Sequence, residues 1–271
     1  MSMHSLKFNV RPAEPVRVPT FLGHRIRGAF LQILSENNPN LTASLHEGTS
    51  LREYSVQPLL PEGVRFLPRK RVVFLRPEQR AAFRVNLLVH DLGREALECL
   101  LSLAELEFKL GSARLLLESV EVKVIPLQDL LPQENQGPPK SATVEFLSPT
   151  QYTSRGSKHP MMLFPDPRYV FGNLVAIWNR VAGDLAVIKR KSLIDWINDD
   201  VFVIYYSLYT RKIDLGKQNP FTGFVGKVEF RIHNSDNPES RWLVPLLRLA
   251  RFSNVGNKRT AGMGVVEVNF H

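Results

Sequence analysis

The stretch PLQDLLPQENQGPPKSA, residues 126–142, separates two halves of the chain whose regular elements follow the same order. It contains four prolines and has neither helical nor strand periodicity, which is typical of a linker or a long loop. On either side, apolar residues recur at strand or helix spacing. We therefore predict an N-terminal domain at 1–126, a linker at 127–142 and a C-terminal domain at 143–271.

The first half is predicted to alternate strands with two helices. One helix covers residues 20–35, with Thr20 as its N-cap, and the other covers residues 94–108. The predicted strands, in chain order, are LKFNVRP (6–12), YSVQPLL (54–60), RKRVVFL (69–75), AFRVNLLV (82–89) and RLLLESVEVKVI (114–125). This order is β-α-β-β-α-β with one additional strand.

The second half repeats that order after the linker. Helices are predicted in 166–198 and at 239–252. The predicted strands are TVEFLSP (143–149), VFVIYYSLYTRKI (201–213), GFVGKVEFRIH (223–233) and GVVEVNF (264–270). The fold class is therefore α+β, with two tandem ferredoxin-like (RRM-like, βαββαβ) domains that contain antiparallel sheets. One mixed α+β domain is the alternative.

Composition and charge limit the class of protein. Of the 271 residues, 44% are hydrophobic and 23% are charged, which is ordinary for a globular protein. The 35 Lys and Arg against 26 Asp and Glu give a net charge of +9, which favours a polyanionic partner without distinguishing RNA, DNA or an acidic membrane. Cys99 is the single cysteine, so no disulfide framework is expected. The N-terminus lacks the apolar core of a signal peptide and no apolar run is long enough to span a bilayer, so a cytoplasmic protein is expected.

Neither a metal site nor a covalent nucleophile is predicted. The seven histidines form no HxxxH, HxH or HExxH pattern, and no GxSxG motif is present, so no metal and no cofactor is expected. General acid/base chemistry is the remaining option. His46 lies in a polar segment predicted to be a loop, where a substrate can reach it. Arg52, six residues on, is a candidate to hold a phosphate or to stabilise its additional charge in the transition state. His24 is either a second proton-transfer group or a surface residue beside Arg25 and Arg27.

The tail NVGNKRTAGMGVVEV, residues 254–268, combines glycines with a basic pair immediately before the last predicted strand. One interpretation is a plain turn between a helix and a strand. The other, which we prefer, is an anion-binding loop in which main-chain N–H groups approach a phosphate and the cations neutralise it. The residues concerned are Gly256, Lys258, Arg259, Gly262 and Gly264. The order GxxxxGK[ST] is absent, so the tail is not a P-loop.

Four blocks of the sequence, in this order, resemble the CRISPR repeat-processing endoribonucleases of the RAMP superfamily. They are VPTFLGHRIRGAFLQIL (18–34), NPNLTASLHEGTSLREYSVQPLL (38–60), VEFLSPTQY (144–152) and the glycine-rich tail. The resemblance implies two tandem ferredoxin-like domains. It also implies metal-independent cleavage of CRISPR precursor RNA, in which a 2′-OH attacks the adjacent phosphate and leaves 2′,3′-cyclic phosphate and 5′-OH ends.

The resemblance also implies roles for individual residues. His46 stands where the family has its histidine, and Arg52 where it often has a lysine or arginine. Some relatives have a tyrosine three residues after the mid-helix glycine, but here Leu31 follows Gly28 at that spacing. His24 or Tyr54 is therefore considered as the second proton-transfer group, or none is needed.

The expected partner is CRISPR repeat RNA, the precursor of the guide RNA, and other Cas proteins of an effector complex are further candidates. The expected RNA-binding residues are Arg25, Arg27, Arg248, Arg251, Gly256, Lys258, Arg259, Gly262 and Gly264. Membrane binding is not expected, and a homodimer is left open. The main alternative function is a non-catalytic RNA-binding RAMP subunit, in which His46 is structural. A basic ferredoxin-like DNA-binding protein is a more distant one.

Overall fold

The computed structural model describes residues 1–46, 51–64, 72–102, 107–133, 137, 139–154, 161–215 and 220–271, with only the backbone described at residues 44 and 46. Two compact units divide the chain. The first comprises Met1–Ile125 and Thr260–Gly262, and the second comprises Pro126–Arg259 and Met263–His271. Residues 126–142 are thus part of the second unit, and three residues of the glycine-rich tail belong to the first.

The first unit consists of an antiparallel sheet with helices packed on it. In chain order its elements are β1 (Ser2–Pro12), β2 (Val16–Pro19), α1 (Gly23–Asn37), α2 (Pro39–His46), β3 (Tyr54–Pro61), β4 (Val72–Leu75), β5 (Ala81–Leu87), α3 (His90–Leu101), β6 (Glu107–Leu110) and β7 (Ala113–Pro126). The sheet has the strand order β3-β5-β1-β7-β6. The pairings of β1 with β5, β3 with β5 and β6 with β7 are antiparallel.

The additional strand of the first half has a separate place. β4 pairs antiparallel with β2 in a two-stranded ribbon outside the main sheet. Without this ribbon, the remaining order from β1 to β7 contains the ferredoxin-like unit. The sequence prediction of a strand at 69–75 was correct for Val72–Leu75, and the rest of that prediction lies outside the described residues.

The core of the first unit lies between the sheet and its helices. Alternation along β1 buries Leu6, Phe8 and Val10 completely, as the period of two requires. The ring of Phe8 stacks on Phe83 of β5 with 4.8 Å between centroids, and it meets Phe30 of α1 edge-on at 6.1 Å. Truncating such a buried phenylalanine to alanine costs about 3–5 kcal/mol, so these rings fix how α1 packs on the sheet.

The second unit repeats the arrangement. Its elements are β8 (Ser141–Thr150), β9 (Tyr152–Thr153), β10 (Met161–Met162), α4 (Pro167–Val181), α5 (Arg190–Asp200), β11 (Val201–Ile213), β12 (Phe221–Ile232), α6 (Leu243–Ser253) and β13 (Val266–Phe270). The sheet order is β11-β12-β8-β13, and each neighbouring pair is antiparallel. Among the four strands of this sheet in chain order, the first and third, β8 and β12, are therefore central, as in a ferredoxin-like fold. The chain has two tandem ferredoxin-like domains, as the sequence predicted.

Local sequence signals explain the helices of the second unit. Asp166 caps α4 by accepting from the N–H of Arg168 at 2.9 Å, and Pro167 occupies the first helical position. Trp178 is completely buried and donates its indole N–H to the carbonyl of Ala186 at 2.8 Å. Pro245 lies in the first turn of α6, where a missing N–H disrupts no helical bond.

Helix boundaries in the first unit differ from their predictions. The helix predicted to begin with Thr20 as its N-cap begins at Gly23, and Leu22 takes the N-cap position without a side-chain hydrogen bond. The helix predicted at 94–108 lies at His90–Leu101, and Glu107–Leu110 form β6 instead of extending it. In the described part of the chain, no helix is both long enough and apolar enough to cross a membrane.

Candidate active site

The segment predicted to be a loop around His46 contains the helix α2. Asn38 caps this helix by accepting from the N–H of Leu41 at 3.0 Å, and Pro39 takes the first helical position. His46 is the last residue of α2, so its backbone position is fixed by the helix. The side chain of His46 lies outside the described residues, and its predicted role therefore stays a prediction.

Arg52 is positioned at the end of the same helix. Its Nη1 donates a hydrogen bond to the carbonyl of Leu45 at 2.9 Å, one residue before His46. A cation at this point also interacts favourably with the negative end of the helix dipole. The side chain of Arg52 is half-buried. The structure thus brings Arg52 next to the backbone at the end of α2.

Tyr54 lies at the start of β3, and its side chain is only 3% exposed. Burial raises the pKa of the Tyr54 phenol, while Arg27, Arg52 and a side-chain hydrogen bond with Thr260 oppose that rise. The phenol is therefore neutral at physiological pH. Tyr54 brings together a cation from α1, a cation from the segment after α2 and a residue of the glycine-rich tail.

Gly23 explains how the tail comes so close to α1. A Cβ at this position would overlap the carbonyl oxygen of Ala261 and would lie 2.8 Å from its carbonyl carbon and 3.0 Å from the Cα of Gly262. Gly262 itself has a φ of +86°, which favours glycine. His24 follows Gly23 in the first turn of α1 and is half-buried. Backbone packing at two glycines thus places residues 260–262 against the N-terminus of α1.

The side chains of the two arginines of α1 lie near different parts of the first unit. Arg25 reaches the turn between β6 and β7, where its Nη1 donates to the carbonyl of Leu110 at 3.4 Å. Arg27 lies close enough to Tyr54 to affect its pKa. Residues two apart on a helix point in different directions, so Arg25 and Arg27 face different neighbours. Only Arg27 belongs to the cluster around Tyr54.

Two of the three tail glycines do not have free amides for a phosphate. The N–H of Gly256 donates to Asn173 Oδ1 at 2.9 Å, and the N–H of Gly264 donates to the carbonyl of Pro149 at 3.2 Å. A Cβ at Gly264 would overlap the carbonyl oxygen of Val255. The expectation that these two glycines present their amides to RNA is therefore corrected, because both close the loop on the second unit itself.

Asn254 holds the base of this loop. Its Nδ2 donates to the carbonyls of Arg259 at 3.2 Å and Met263 at 3.1 Å. Its φ of 55° and ψ of 177° lie in a region that is otherwise almost restricted to glycine. The two side-chain hydrogen bonds compensate part of the backbone strain, which is about 1–3 kcal/mol for such a residue.

The adjacent cations Lys258 and Arg259 have opposite environments. Arg259 is 5% exposed and its Nη1 donates to the carbonyl of Ser253 at 2.7 Å. Burial lowers the pKa of Arg259 to about 10, so the group remains charged at neutral pH. Lys258 is exposed, with a φ of 54°, and its Nζ lies 5.9 Å from the ring centroid of Phe221. The charge of Arg259 thus lies inside the loop and not on the surface, which corrects the expectation of a basic pair facing RNA.

The remaining predicted cations lie on α6. Arg251 is exposed and donates to the carbonyl of Val268 in β13. Arg248 is half-buried and lines a shallow pocket together with Arg241 and residues 131–133.

Sequence reasoning missed Thr260, since a single threonine in a glycine-rich tail carries no signal for a contact with a distant tyrosine. Within the described residues, no group of three or more His, Cys, Asp or Glu side chains is arranged to hold a metal ion.

Two family models match the chain, one in each half. The model described as CRISPR Cas6 N-terminal domain matches residues 2–129, and the model described as CRISPR-associated endoribonuclease Cas6 matches residues 144–266. No curated protein matches the chain significantly.

Solved structures share the fold over almost the full length. A product complex of Cas6 (TTHB231) is 23% identical, with 98% of this chain and 99% of that chain covered and a TM-score of 0.79. Thermus thermophilus Cas6 (TTHB231) is 22% identical, with 99% of both chains covered and a TM-score of 0.70. An RAMP protein binding different RNA substrates is 15% identical, with 98% and 99% covered and a TM-score of 0.62. At these identities, the similarity demonstrates the common fold alone.

Proposed function

Because the chain belongs to the family of CRISPR-associated endoribonucleases called Cas6, we propose that it cleaves CRISPR precursor RNA within the repeat without a metal ion. A base removes the proton of a 2′-OH, and the oxygen attacks the adjacent phosphorus. The 5′-oxygen then leaves with a proton supplied by an acid. The products are a 2′,3′-cyclic phosphate and a 5′-OH end.

The hydrogen bond from Arg52 to the end of α2 is the observation that carries the assignment of roles. It places a guanidinium beside the residue that ends this helix, His46. In the proposal, His46 transfers a proton and Arg52 stabilises the additional negative charge of the pentacoordinate phosphorus. A guanidinium suits this task because it stays charged and can donate two hydrogen bonds to phosphate oxygens.

The second proton-transfer group is assigned to His24 in this proposal. Tyr54 was considered for it from the sequence, but it is 3% exposed, its phenol has a raised pKa, and Thr260 interacts with it. A buried phenol of this kind is better suited to hold neighbouring groups than to reach a substrate. We therefore propose that Tyr54 positions Arg27, Arg52 and the tail residue Thr260.

RNA is proposed to bind through the exposed cations and to remain bound after cleavage. Lys258 and Arg251 are exposed, and Arg27 and Arg248 are half-buried. Phosphate contacts supply much of the affinity of such proteins, and the net charge of +9 favours retention of the product. In this proposal Gly262 permits the tail to pass close to α1. The hydrogen bonds of Gly256, Gly264 and Arg259 maintain the conformation of the tail. Arg25 is proposed to contact RNA near the β6–β7 turn. Other Cas proteins that take over the product are further proposed partners.

Single substitutions test these roles. We expect His46→Ala to slow single-turnover cleavage of a repeat RNA about 100- to 10,000-fold, with little change in RNA affinity. Arg52→Ala is expected to slow cleavage by a comparable factor. The matched controls are His233→Ala and Arg94→Ala, whose side chains are exposed and far from the cluster in sequence.

Each outcome separates the candidate functions. Cleavage by His46→Ala at the wild-type rate would contradict the catalytic assignment and keep the nuclease. Tight RNA binding by the wild-type protein without any cleavage would contradict the nuclease and support the non-catalytic RAMP subunit.

A further inference from the structure

The ribbon of β2 and β4 has one face in the core and an apolar outer face in solvent. Val18 and Leu75 are 4% and 2% exposed, whereas Val72 and Phe74 on the opposite face are 49% and 47% exposed. Side chains alternate between the two faces of a strand, so the ribbon is buried on one side only. The solvent face of such a structure is usually polar, and here it carries a valine and a phenylalanine.

Two arginines flank Phe74 on the outer face. Arg17 of β2 pairs directly with Phe74 across the ribbon, so the two side chains are neighbours on the same face. Arg76 places its guanidinium carbon 5.7 Å from the centroid of the Phe74 ring. Both arginines are exposed, and neither forms an ion pair with another described residue. The exposed ring is thus accompanied by two cations whose charge is available to a ligand.

The outer face of the ribbon also forms a groove. This open groove has a volume of about 410 Å³ and is lined by Arg17, Val18, Pro19, Val72 and Phe74. Binding sites for small ligands have volumes of about 300–1,000 Å³, so the groove is large enough for a ligand of that class. An aromatic ring beside cations is the combination that binds a nucleotide, because the ring stacks on the base and the cations contact phosphate.

We propose that the outer face of the β2–β4 ribbon binds an unpaired nucleotide of the RNA, with the base stacked on Phe74 and the neighbouring phosphates on Arg17 and Arg76. This inference rests on the proposed function, because it takes RNA as the substrate. Every base has an aromatic face, so the site accepts any base that is unpaired. In a duplex the bases are stacked on their neighbours, and paired RNA therefore offers this site only its phosphates.

A protein partner is a poorer fit to this face. Each strand of the ribbon has four residues, and a strand rises about 3.3 Å per residue, so the face is only about 13 Å long. Stable interfaces between proteins bury about 800 Å² on each partner, which is much more than a face of this length offers. The two strands contain no acidic residue. The small area and the positive charge therefore favour a nucleotide.

The affinity for two RNA probes tests the stacking. One probe is single-stranded oligouridine of about 8 nucleotides, which is within the site size of proteins that bind single strands, and the other is an RNA duplex. Phe74→Leu keeps an apolar side chain but removes the ring. It is expected to weaken oligouridine binding about 5- to 150-fold, the effect of one stacked base, and to leave duplex binding unchanged. Phe74→Trp is expected to retain the affinity of the wild type. The matched control is Phe202→Leu, since Phe202 is also 47% exposed but lies on β11 of the second unit.

The charge of Arg17 is tested with the same oligouridine probe. Arg17→Gln should lower the slope of log affinity against log salt concentration by about 0.7, because one contact to a single-strand phosphate is lost. Lys123→Gln removes the same charge from an exposed position on β7 and should leave the slope unchanged. An unchanged slope in Arg17→Gln would contradict the phosphate contact.

Photo-cross-linking locates the bound base. Oligouridine that carries 5-iodouridine is irradiated with the wild-type protein, and the attached peptide is identified by mass spectrometry. The cross-link is expected at Phe74 and should be lost in Phe74→Leu. A cross-link that maps outside residues 72–76 would overturn the proposal.

The affinities also separate this inference from the proposed nuclease. Oligouridine binding by Phe74→Leu at the wild-type affinity would overturn the inference and favour a protein partner for this face. Equal losses of oligouridine and duplex binding would overturn it as well, since the face would then contact phosphates without stacking. Weakened oligouridine binding in Phe74→Leu, together with a wild type that does not cleave repeat RNA, would support this site and contradict the nuclease.

Discussion

Substitution of two glycines in α1 tests whether residues 260–262 lie against this helix. Gly23 and Gly28 are in the same helix and receive the same change, to alanine. At Gly28 a new Cβ has no atom within 4 Å, whereas at Gly23 it overlaps the carbonyl oxygen of Ala261. The two variants therefore differ mainly in whether the tail backbone must move.

The two substitutions are expected to change the free energy of unfolding in opposite directions. Gly28→Ala is expected to raise the free energy of unfolding by about 0.5–1 kcal/mol, because alanine has the higher helix propensity. Gly23→Ala gains less at the first helical position and costs about 1–3 kcal/mol through overpacking against a backbone carbonyl. The two variants should thus differ by about 1.5–4 kcal/mol.

Urea unfolding followed by far-ultraviolet circular dichroism measures this difference. Tryptophan fluorescence is unsuitable, because Trp178, Trp196 and Trp242 all lie in the second unit, whereas α1 belongs to the first. Equal stability of Gly23→Ala and Gly28→Ala would refute the reasoning, since it would mean that the tail does not pack on the N-terminus of α1.

Three further substitutions address charge and protonation. Lys258→Ala should reduce the slope of log affinity for RNA against log salt concentration by about 0.7–0.9, because one phosphate contact is lost. The melting temperature should stay the same. An unchanged slope would show that Lys258 does not contact RNA. Arg259→Met should leave that slope unchanged. It should lower the free energy of unfolding by about 1–3 kcal/mol, because the Ser253 carbonyl loses a buried hydrogen-bond donor. A reduced salt slope would instead mean that Arg259 contacts phosphate. His4 is 4% exposed, and burial followed by the nearby His90 lowers its pKa below 6.5. The unfolded chain then binds the proton more strongly than the folded one, so stability should fall as the pH decreases below about 6.5, by at most about 1.4 kcal/mol per pH unit. Urea unfolding at pH 7 and pH 5 should show a smaller decrease for His4→Gln than for the wild type, and equal decreases would contradict this explanation.

The sequence predicted the fold because both halves carry strong periodic patterns. Alternation in β1 and β12 and the helical spacing of α4 were sufficient to recognise two βαββαβ units. The ribbon of β2 and β4 was not recognised, because β2 has only four residues and its pairing is a tertiary contact. The helix α2 was missed because the polar segment around His46 was predicted to be a loop, although Asn38 followed by Pro39 is a signal for the start of a helix.

The candidate site was only partly predictable, for a physical reason. Lys258 and Arg259 are equivalent in sequence, but the left-handed backbone at Lys258 places one side chain in solvent and the other inside the loop. Likewise, the interaction between Tyr54 and Thr260 joins residues from opposite ends of the chain. Such contacts depend on how the tail folds back, and no local pattern encodes them. Arg52, in contrast, was singled out together with His46 from the sequence, but its hydrogen bond to the end of α2 was not predicted because the helix itself was missed.

The most direct test of the proposed reaction uses a labelled CRISPR repeat RNA incubated with the protein in excess EDTA. A second repeat carries a single 2′-deoxy substitution at the nucleotide before the mapped cut. We expect full cleavage of the unmodified repeat to a product with a 5′-OH, and no cleavage of the 2′-deoxy repeat, because the attacking oxygen is missing. Loss of cleavage in EDTA, or a 5′-phosphate on the product with the 2′-deoxy repeat still cut, would contradict it.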